Sequence, residues 1–319
     1  MSATIEVLTP GLLTTVQDLG RWGHQSSGVP VAGPMDPFAH RLANAIVSNP
    51  RAAATLEITL TGPTLAFHVG RAFVVAGAAF DLFVDHTPVH LDVVIEARAG
   101  SVLRFGARRS GARAYLAVAG GFDTPVVLGS RSTHVPSGMG GWQGRALRRG
   151  DLLPVGVPHA TTPSTRRMTL GRGTLEHDLQ GDVPVVRVLV GPQDDRFAVD
   201  AFDALTASPY RVDSSSNRMG YRLVGSPLGH TNGADIISDA TPLGSVQVPA
   251  SGQPLLLMAD RQTTGGYAKI ATVISADIGI AGQVAPGELL QFKPCSRSEA
   301  LAALLARERP LLALESRGA

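Results

Sequence analysis

Lysine and cysteine are almost absent from this chain of 319 residues. The single cysteine, Cys295, excludes an intrachain disulfide and a cysteine-based zinc site. Only two of the 28 basic residues are lysines, Lys269 and Lys293, and neither follows a glycine as the lysine of a P-loop does. Neither lies between methionines, the usual setting of a biotin-carrying lysine. The sequence therefore predicts neither a P-loop nor covalently attached biotin.

Charge and long apolar runs are also scarce. Charged residues make up 17% of the chain, and the arginines are dispersed in nothing longer than pairs such as Arg108-Arg109, so we expect no nucleic-acid surface. No apolar run approaches the roughly 18 residues that span a bilayer, so we expect no membrane span. The N-terminal residues lack a basic region followed by an apolar core, which predicts a cytoplasmic protein without a secretory signal.

Glycine and proline are abundant, with 36 and 22 residues. Short apolar runs recur between these turn residues, for example Phe73 to Val75, Phe80 to Val84 and Leu255 to Met258. Strands this short and this frequent favour a mainly β fold of barrels or sandwiches over a parallel α/β sheet.

Three amphipathic stretches predict short helices that would cover a barrel mouth or edge. Asp36-Pro37 supplies a cap and a first-turn proline for the first helix, and Phe197 to Leu205 forms the second. The third opens at Ser298-Glu299. It would turn three leucines inward, namely Leu301, Leu304 and Leu305.

Two features bear on domain organisation. Gly150-Asp151-Leu152-Leu153 is similar to Gly287-Glu288-Leu289-Leu290, which indicates either repeated use of one turn-then-strand unit, the simpler explanation, or two related barrel modules. The stretch from Pro158 to Pro184 is rich in Thr, Arg and Gly and poor in bulky apolar residues. We therefore expect an N-terminal β-barrel module over residues 1–170 and a C-terminal module over residues 171–319.

Four segments combine glycines with a high density of hydrogen-bonding side chains, namely residues 14–21, 128–133, 214–221 and 260–269. The first is more simply explained by structure than by chemistry. The fourth is the most specific, because an apolar strand delivers Asp260, Arg261 and Gln262 to its end and one of the two lysines follows.

The fourth segment carries groups suited to acyl or carboxyl transfer. Arg261 offers a planar fork and Lys269 a point charge, and such cations stabilise anionic transition states. Gln262 and Thr263 can hold an amide or ureido group through neutral hydrogen bonds. A structural Asp-Arg bridge followed by a tight turn explains the same residues equally well.

Two further patterns are weaker indications of a functional site. In the third segment, Asn217 and Arg218 are either substrate contacts or part of a loop that satisfies its own backbone beside a surface ion pair. His86 and His90 are four residues apart, but Pro88 disfavours the helix that would bring them together, so we expect no metal site.

Long motifs distributed along the chain have the same order and spacing as those of a known family. They are Gly11 to Arg21 with Gly28-Val29-Pro30 and Met35-Asp36, Ala114 to Phe122 with Leu128 to Thr133, Asn217 to Leu223, and Asp260 to Tyr267. The sequence resembles the allophanate hydrolase subunit 2 family, also called the biotin-dependent carboxyltransferase family or the family of 5-oxoprolinase C subunits. The similarity runs from about residue 5 to residue 300.

The resemblance implies tandem β-barrel modules of the cyclophilin-like type and a partner similar to allophanate hydrolase subunit 1. In urea carboxylases, a fused pair of this kind moves a carboxyl group from biotin to urea. In many bacteria, similar pairs work with a lactam-utilisation protein in the ATP-dependent opening of 5-oxoproline. One relative antagonises a kinase inhibitor. Because these roles differ greatly, the resemblance defines the expected fold better than the expected function.

We therefore expect a subunit of a heteromeric enzyme that acts on a small amide or urea-like substrate. An ATP-dependent 5-oxoprolinase or allophanate hydrolase-type activity is favoured over biotin-dependent carboxyl transfer and over a regulatory role. ATP would bind on or with a partner, and biotin would need a separate carrier protein. The expected catalytic residues are Arg261 and Lys269, and the expected substrate-binding residues are Asn217, Arg218, Gln262, Thr263 and the Gly265-Gly266 turn.

Overall fold

The computed structural model describes residues 3–158 and 183–316. They form two compact units. The first contains residues 3–22, 32–158 and 309–316, and the second contains residues 23–31 and 183–308. The expected module boundary between residues 170 and 171 lies outside the described residues.

The first unit is built on a nine-stranded antiparallel sheet that curls into a half-barrel. Its main path has the order β2-β3-β8-β4-β1-β9, and β5 pairs with β6, β7 and β8. The strands are β1 (Thr4–Thr9), β2 (Leu13–Gln17), β3 (Thr55–Thr59), β4 (Thr64–Phe67), β5 (Arg71–Val84), β6 (Thr87–Val89), β7 (Ile95–Ala97), β8 (Val102–Val118) and β9 (Leu152–Pro154).

Strands β5 and β8 are longer than the sequence pattern predicts. The runs Phe73 to Val75 and Phe80 to Val84 are separated by Gly77, yet all of them belong to β5. Shifts in the β5–β8 register between Gly77 and Leu82 absorb the interruption as β-bulges. Gly77 has a φ of +92°, a conformation that favours glycine, so the bulge keeps the strand continuous where the apolar pattern breaks.

Helix α1 (Pro37–Ile46) confirms the first helix prediction. The Asp36 carboxylate accepts a hydrogen bond from the Ala39 N–H at 3.0 Å, and Pro37 occupies the first turn. Leu42 and Ile46 are buried in an apolar cluster that also contains Tyr115 of β8.

The second unit contains a closed barrel of seven strands in the order β10-β17-β14-β15-β12-β11-β18. The ring closes where β10 and β18 pair in parallel, with Val185 opposite Gln291. Two further strands, β13 and β16, form a separate antiparallel ribbon. The strands of this unit are β10 (Val185–Val190), β11 (Tyr210–Val212), β12 (Gly220–Val224), β13 (Asp235–Ala240), β14 (Ser245–Gln247), β15 (Leu255–Leu257), β16 (Thr264–Tyr267), β17 (Lys269–Val273) and β18 (Leu289–Pro294).

Three more helices are described: α2 (Ala201–Ala207), α3 (Ile278–Gly282) and α4 (Arg297–Glu315). Helix α4 is longer than expected, and its buried residues differ from the predicted ones. Leu301 and Leu305 are exposed and Leu304 is half-buried, whereas Leu311 and Leu314 near its end are buried. The prediction of an inward leucine face at the start of this helix is therefore wrong, because the apolar contacts of the helix are made in its last turns.

The mainly β fold class is confirmed by the half-barrel sheet and the closed barrel. Among the described helices, none is long and apolar enough to cross a membrane.

Candidate functional site

One row of paired residues crosses the outer face of the barrel. In β12, Tyr221 is buried while Arg222 is exposed, as expected when successive side chains alternate between faces. Directly paired residues of neighbouring strands share a face. The strand pairing aligns Arg222 of β12 with Leu255 of β15 and Gln247 of β14. Beyond a register shift at Val246/Gln247, Gln247 is opposite Lys269 of β17.

A small cleft of about 170 Å³ lies along this row. Its volume is below the roughly 300–1,000 Å³ of pockets for drug-sized ligands, so it suits a small molecule. Apolar contact area comes from Leu255 and Leu257, and polar groups come from the surrounding segments. The lining residues are Ser215, Asn217, Met219, Gly220, Arg222, Gln247, Leu255, Leu257, Gln262 and Tyr267.

Two carboxamides meet inside the cleft. Gln247 is buried and donates from Nε2 to the Tyr267 carbonyl at 3.2 Å, while Gln262 Nε2 lies 3.4 Å from Gln247 Oε1. Gly265 of the ribbon packs against them, since a Cβ there would lie 2.7 Å from Gln247 Nε2 and 3.2 Å from Gln262 Nε2. A glycine is therefore required at this position for the carboxamides to keep their places.

Arg261 is a buried cation with neutral partners. Its Nε donates to the Thr241 carbonyl at 2.7 Å, and its Nη1 lies 3.5 Å from the Met258 carbonyl. No carboxylate of the described part of the chain lies within ion-pair distance of it. Burial lowers the pKa of Arg261 from its usual value to about 10. The guanidinium thus carries a charge that the surrounding barrel does not balance.

Lys269 is buried as well, but it has a counter-ion. Its Nζ lies 2.5 Å from Asp239 Oδ2 and donates to the Ala240 carbonyl at 2.8 Å. The hydrogen bond from Lys269 lowers the pKa of the half-exposed Asp239. Lys269 and Arg261 therefore bind the carbonyls of the consecutive residues 240 and 241, although neither lines the cleft.

Arg218 forms a buried ion pair away from the cleft lining. Its Nε and Nη2 each lie 3.0 Å from a carboxylate oxygen of Asp260. The structural Asp-Arg bridge considered for the fourth segment therefore exists, but its arginine is Arg218. It is buried, which differs from the surface ion pair considered from the sequence. Asn217 does line the cleft, and its Oδ1 accepts from the Met219 N–H at 2.8 Å.

The remaining predicted residues lie in the ribbon or directly before it. The Thr263 carbonyl accepts from the Thr241 N–H at 3.2 Å, and Gly265 pairs with Asp239 across the ribbon. Gly265 and Gly266 lie within strand β16, so the expected Gly265-Gly266 turn is wrong. Most strands of this chain are recognisable from runs of apolar residues. The glycine pair has no such neighbours, because β16 is part of an exposed two-stranded ribbon, and it was therefore not recognised as a strand.

The polar segments at residues 14–21 and 128–133 are joined by one buried carboxylate. Asp18 Oδ1 accepts from Ser130 Oγ at 2.5 Å, Ser132 Oγ at 2.7 Å and the Gly20 N–H at 2.9 Å. Its Oδ2 accepts from the Arg131 N–H at 2.6 Å. This cluster ties two distant segments together, in agreement with the structural interpretation of the first segment.

Comparison with known proteins accounts for nearly the whole chain. Residues 27–294 match the family described as "Carboxyltransferase domain, subdomain A and B". The chain belongs to this family. It is 39% identical to the C subunit of 5-oxoprolinase from Escherichia coli K12, with 96% of each chain covered, and 36% identical to that of Haemophilus influenzae, with 93% of each covered. The K. lactis urea amidolyase structure has a TM-score of 0.91 at 31% identity, over 98% of this chain and 20% of the amidolyase.

Within this carboxyltransferase-domain chain, only Asn217 and Gln262 of the ten lining residues were expected from the sequence, and Gln247, Tyr267 and Arg222 are among those that were missed. Gln247 is a lone amide between valines, a pattern that could have been recognised as a polar group in a buried strand. Tyr267 and Arg222 lie in the recognised motifs but resemble ordinary exposed strand residues. Their position beside Gln262 depends on strand pairing that sequence spacing does not reveal.

A second cavity of about 480 Å³ borders helix α2 in the same unit. Its walls include Phe197, Val199 and Phe202, with the exposed Asp194 and Asp195 beside them. These carboxylates oppose an anionic ligand. In the described residues, no group of three or more His, Cys, Asp or Glu side chains is placed to hold a metal ion.

Proposed function

We propose that the chain is the C subunit of a 5-oxoprolinase-type enzyme, a heteromeric and ATP-dependent amidohydrolase that opens a small lactam. The observation that carries the proposal is the pair of carboxamides, Gln247 and Gln262, above Leu255 and Leu257 in a cleft of about 170 Å³. The near end-to-end similarity to two 5-oxoprolinase C subunits supports it.

The cleft residues have complementary roles in this proposal. A carboxamide offers both a donor and an acceptor, so Gln262 and Gln247 can pair with the C=O and N–H of a lactam. Leu255 and Leu257 provide apolar contact for its ring carbons. Arg261 would act from outside the lining, where its unbalanced charge favours negative charge developing on the lactam oxygen.

In this proposal, Lys269 has a structural role and does not contact the reacting group. Because its ammonium is bound to Asp239 and the Ala240 carbonyl, it holds the ribbon against the barrel beside the cleft. Its predicted contact with the reacting group stays a prediction.

ATP does not fit the described cleft. The cavity is smaller than a drug-sized pocket, and the lysine of the row is already bound to Asp239. We therefore assign nucleotide binding to a partner protein and derive no step of this chain through ATP.

Carboxyl transfer is the second candidate function. The family description and the fold likeness to the K. lactis urea amidolyase favour it. A ureido group presents the same C=O and N–H edge as a lactam, so the two carboxamides suit the ureido head of biotin or urea equally well. A separate carrier protein would then bring the biotin. For lactam opening and for carboxyl transfer alike, the cleft would bind and orient the amide or ureido group.

The test is to purify the chain together with its subunit 1-like partner and the lactam-utilisation protein. We expect ATP hydrolysis that depends on 5-oxoproline and releases glutamate. Gln262→Glu keeps the side-chain shape but removes its N–H donors, so activity should fall at least a hundredfold. Gln253→Ala, a glutamine of the same unit outside the cleft lining, should change activity less than twofold.

Two outcomes would contradict the proposal. Turnover only with biotin carrier, biotin carboxylase and urea would establish the second candidate. Inactivity in both assays would favour the regulatory role, in which this subunit acts on another protein.

A further inference from the structure

Arg222 is the one charged residue among the ten that line the cleft. It stands at the exposed end of the row that contains Leu255 and Gln247, on the outer face of the barrel. The other lining groups are neutral amides, hydroxyls, a methionine, a glycine and leucines. The cleft therefore joins an amide-recognising region to a single positive charge.

The guanidinium of Arg222 is available to a ligand. Its backbone is engaged, because the N–H donates to Ser216 Oγ at 3.1 Å and the carbonyl accepts from the Asp213 N–H at 2.9 Å. For its side chain, residues 3–158 and 183–316 supply neither a hydrogen bond nor an ion pair, although hydrogen bonds from Ser215, together with the charge of Arg222, lower the pKa of Asp213. The adjacent Asp213 uses Oδ1 to accept from the N–H and Oγ of Ser215, at 2.9 and 2.6 Å.

The spacing of the row fits one class of ligand. Arg222 and Gln247 are two strands apart with Leu255 between them, and neighbouring strands are about 4.8 Å apart. A small ring held at its amide edge by the carboxamides would lie over Leu255. A carboxylate on that ring would then be directed toward Arg222, whose planar fork can bind both carboxylate oxygens.

The larger cavity beside α2 does not compete for such a ligand. Asp194 and Asp195 border it, and like charges repel a carboxylate. Arg261 is excluded as the first contact, because it is buried and outside the cleft lining.

We infer that Arg222 binds the carboxylate of the substrate and thereby selects carboxylated lactams over uncharged amides. This inference rests on the proposed function and narrows its substrate class to small lactams that bear a carboxylate, as 5-oxoproline does. Arg222 is thus a specificity residue that contacts the part of the substrate that does not react.

The test compares 5-oxoproline with 2-pyrrolidinone, the same ring without the carboxylate, in the reconstituted complex. Arg222→Ala should raise the KM for 5-oxoproline about 10- to 100-fold with kcat changed less than threefold, because a charged hydrogen bond is lost. Arg222→Lys should recover part of the affinity. Turnover of 2-pyrrolidinone should not respond to either change.

Arg211→Ala is the matched control, since Arg211 is an exposed arginine on the neighbouring strand β11 and does not line the cleft. It should leave both KM values unchanged. An active complex in which Arg222→Ala keeps the wild-type KM for 5-oxoproline would overturn the inference and leave the proposed function intact.

A complex that does not open the lactam would overturn the proposed function, and binding would then decide the inference separately. In a titration of the full chain followed by NMR, 5-oxoproline should bind the wild type at least tenfold tighter than the Arg222→Ala variant. Equal binding, or no binding to the wild type, would overturn the assignment of Arg222.

Discussion

The polar cluster around Asp18 and the polar face of the barrel use similar residues in opposite ways. In the first unit, the Asp18 carboxylate accepts four hydrogen bonds from two segments far apart in sequence. In the second unit, Arg261 has no carboxylate partner among the described residues, and the Arg222 side chain has no hydrogen-bond partner there.

The difference separates a structural cluster from a candidate site. A buried carboxylate whose partners all come from the same unit stabilises that unit, because each of those donors would otherwise be buried without an acceptor. A buried cation without a counter-ion destabilises the fold and is retained where it has another use. The density of polar residues, which is similar in the two regions, does not distinguish them.

Removing the Asp18 carboxylate should give the largest effect. Asp18→Ala leaves four donors without their acceptor, at about 1–3 kcal/mol for each one that stays dry, so we expect a loss of about 4–5 kcal/mol of unfolding free energy. The measurement is denaturant unfolding followed by circular dichroism. Asp123→Ala, which breaks the exposed ion pair with Arg131, should cost at most about 1 kcal/mol. Equal losses would remove the contrast between buried and exposed carboxylates.

Arg218 and Arg261 can both be replaced by methionine, and only Arg218 has a carboxylate partner among the described residues. Arg218→Met should cost about 3–5 kcal/mol, because Asp260 then remains as a buried carboxylate without its ion pair. Arg261→Met should leave stability unchanged or raise it by up to about 2 kcal/mol, since it removes a desolvated charge. Thermal and denaturant unfolding measure both.

Activity adds a second readout to the Arg261 variant. In the reconstituted complex, Arg261→Met should lower kcat at least tenfold while the KM for 5-oxoproline changes little. A variant that is both less stable and fully active would show that Arg261 is a structural residue like Arg218.

The Lys269–Asp239 pair should give the smallest effect, and it depends on pH. Lys269 lowers the pKa of Asp239 in the folded state. The ionised carboxylate therefore contributes stability above its unfolded pKa of about 3.9, and the contribution is lost as the pH falls through the lower folded value.

Because Asp239 is half exposed but Lys269 is buried, Asp239→Asn should cost about 1–2 kcal/mol at pH 7, less than the loss of a partner from the fully buried Arg218–Asp260 pair. The unfolding free energies of variant and wild type should converge once the pH falls below the lowered folded pKa of Asp239. Asp235→Asn, at an exposed aspartate of the same strand β13 that has no ion pair within the described residues, should show no difference at neutral or acid pH. A difference for Asp239→Asn that persists in acid would have a cause other than the ion pair.

Local sequence patterns predicted where helices and strands occur better than they predicted where these elements end. The capped start of α1 and the apolar run of β15 were recognised because they depend on neighbouring residues. The length of β5 was not, since Gly77 breaks the apolar pattern and only pairing with β8 carries the strand through the bulge. The buried end of α4 was missed for the same reason, because contacts made far along the chain decide which leucines are covered.

The candidate site shows the same limit. Gln262 and Asn217 were recognised from residue type and do line the cleft. The partner of Arg218 was not, since Asp260 lies 42 residues away and the ion pair depends on the fold. Arg222 and Gln247 became candidates only once the register aligned them on either side of Leu255.

The closure of the barrel through β10 and β18 has a consequence for how the chain folds. These strands are the first and last of the ring in sequence, so the contact between Val185 and Gln291 joins its two distant ends. A contact this distant in sequence is slow to form. During synthesis, the barrel stays open until the end of β18 at Pro294 has left the ribosome, and β10 presents an unpaired edge until then. The second unit is thus expected to complete its folding late, as a single cooperative ring.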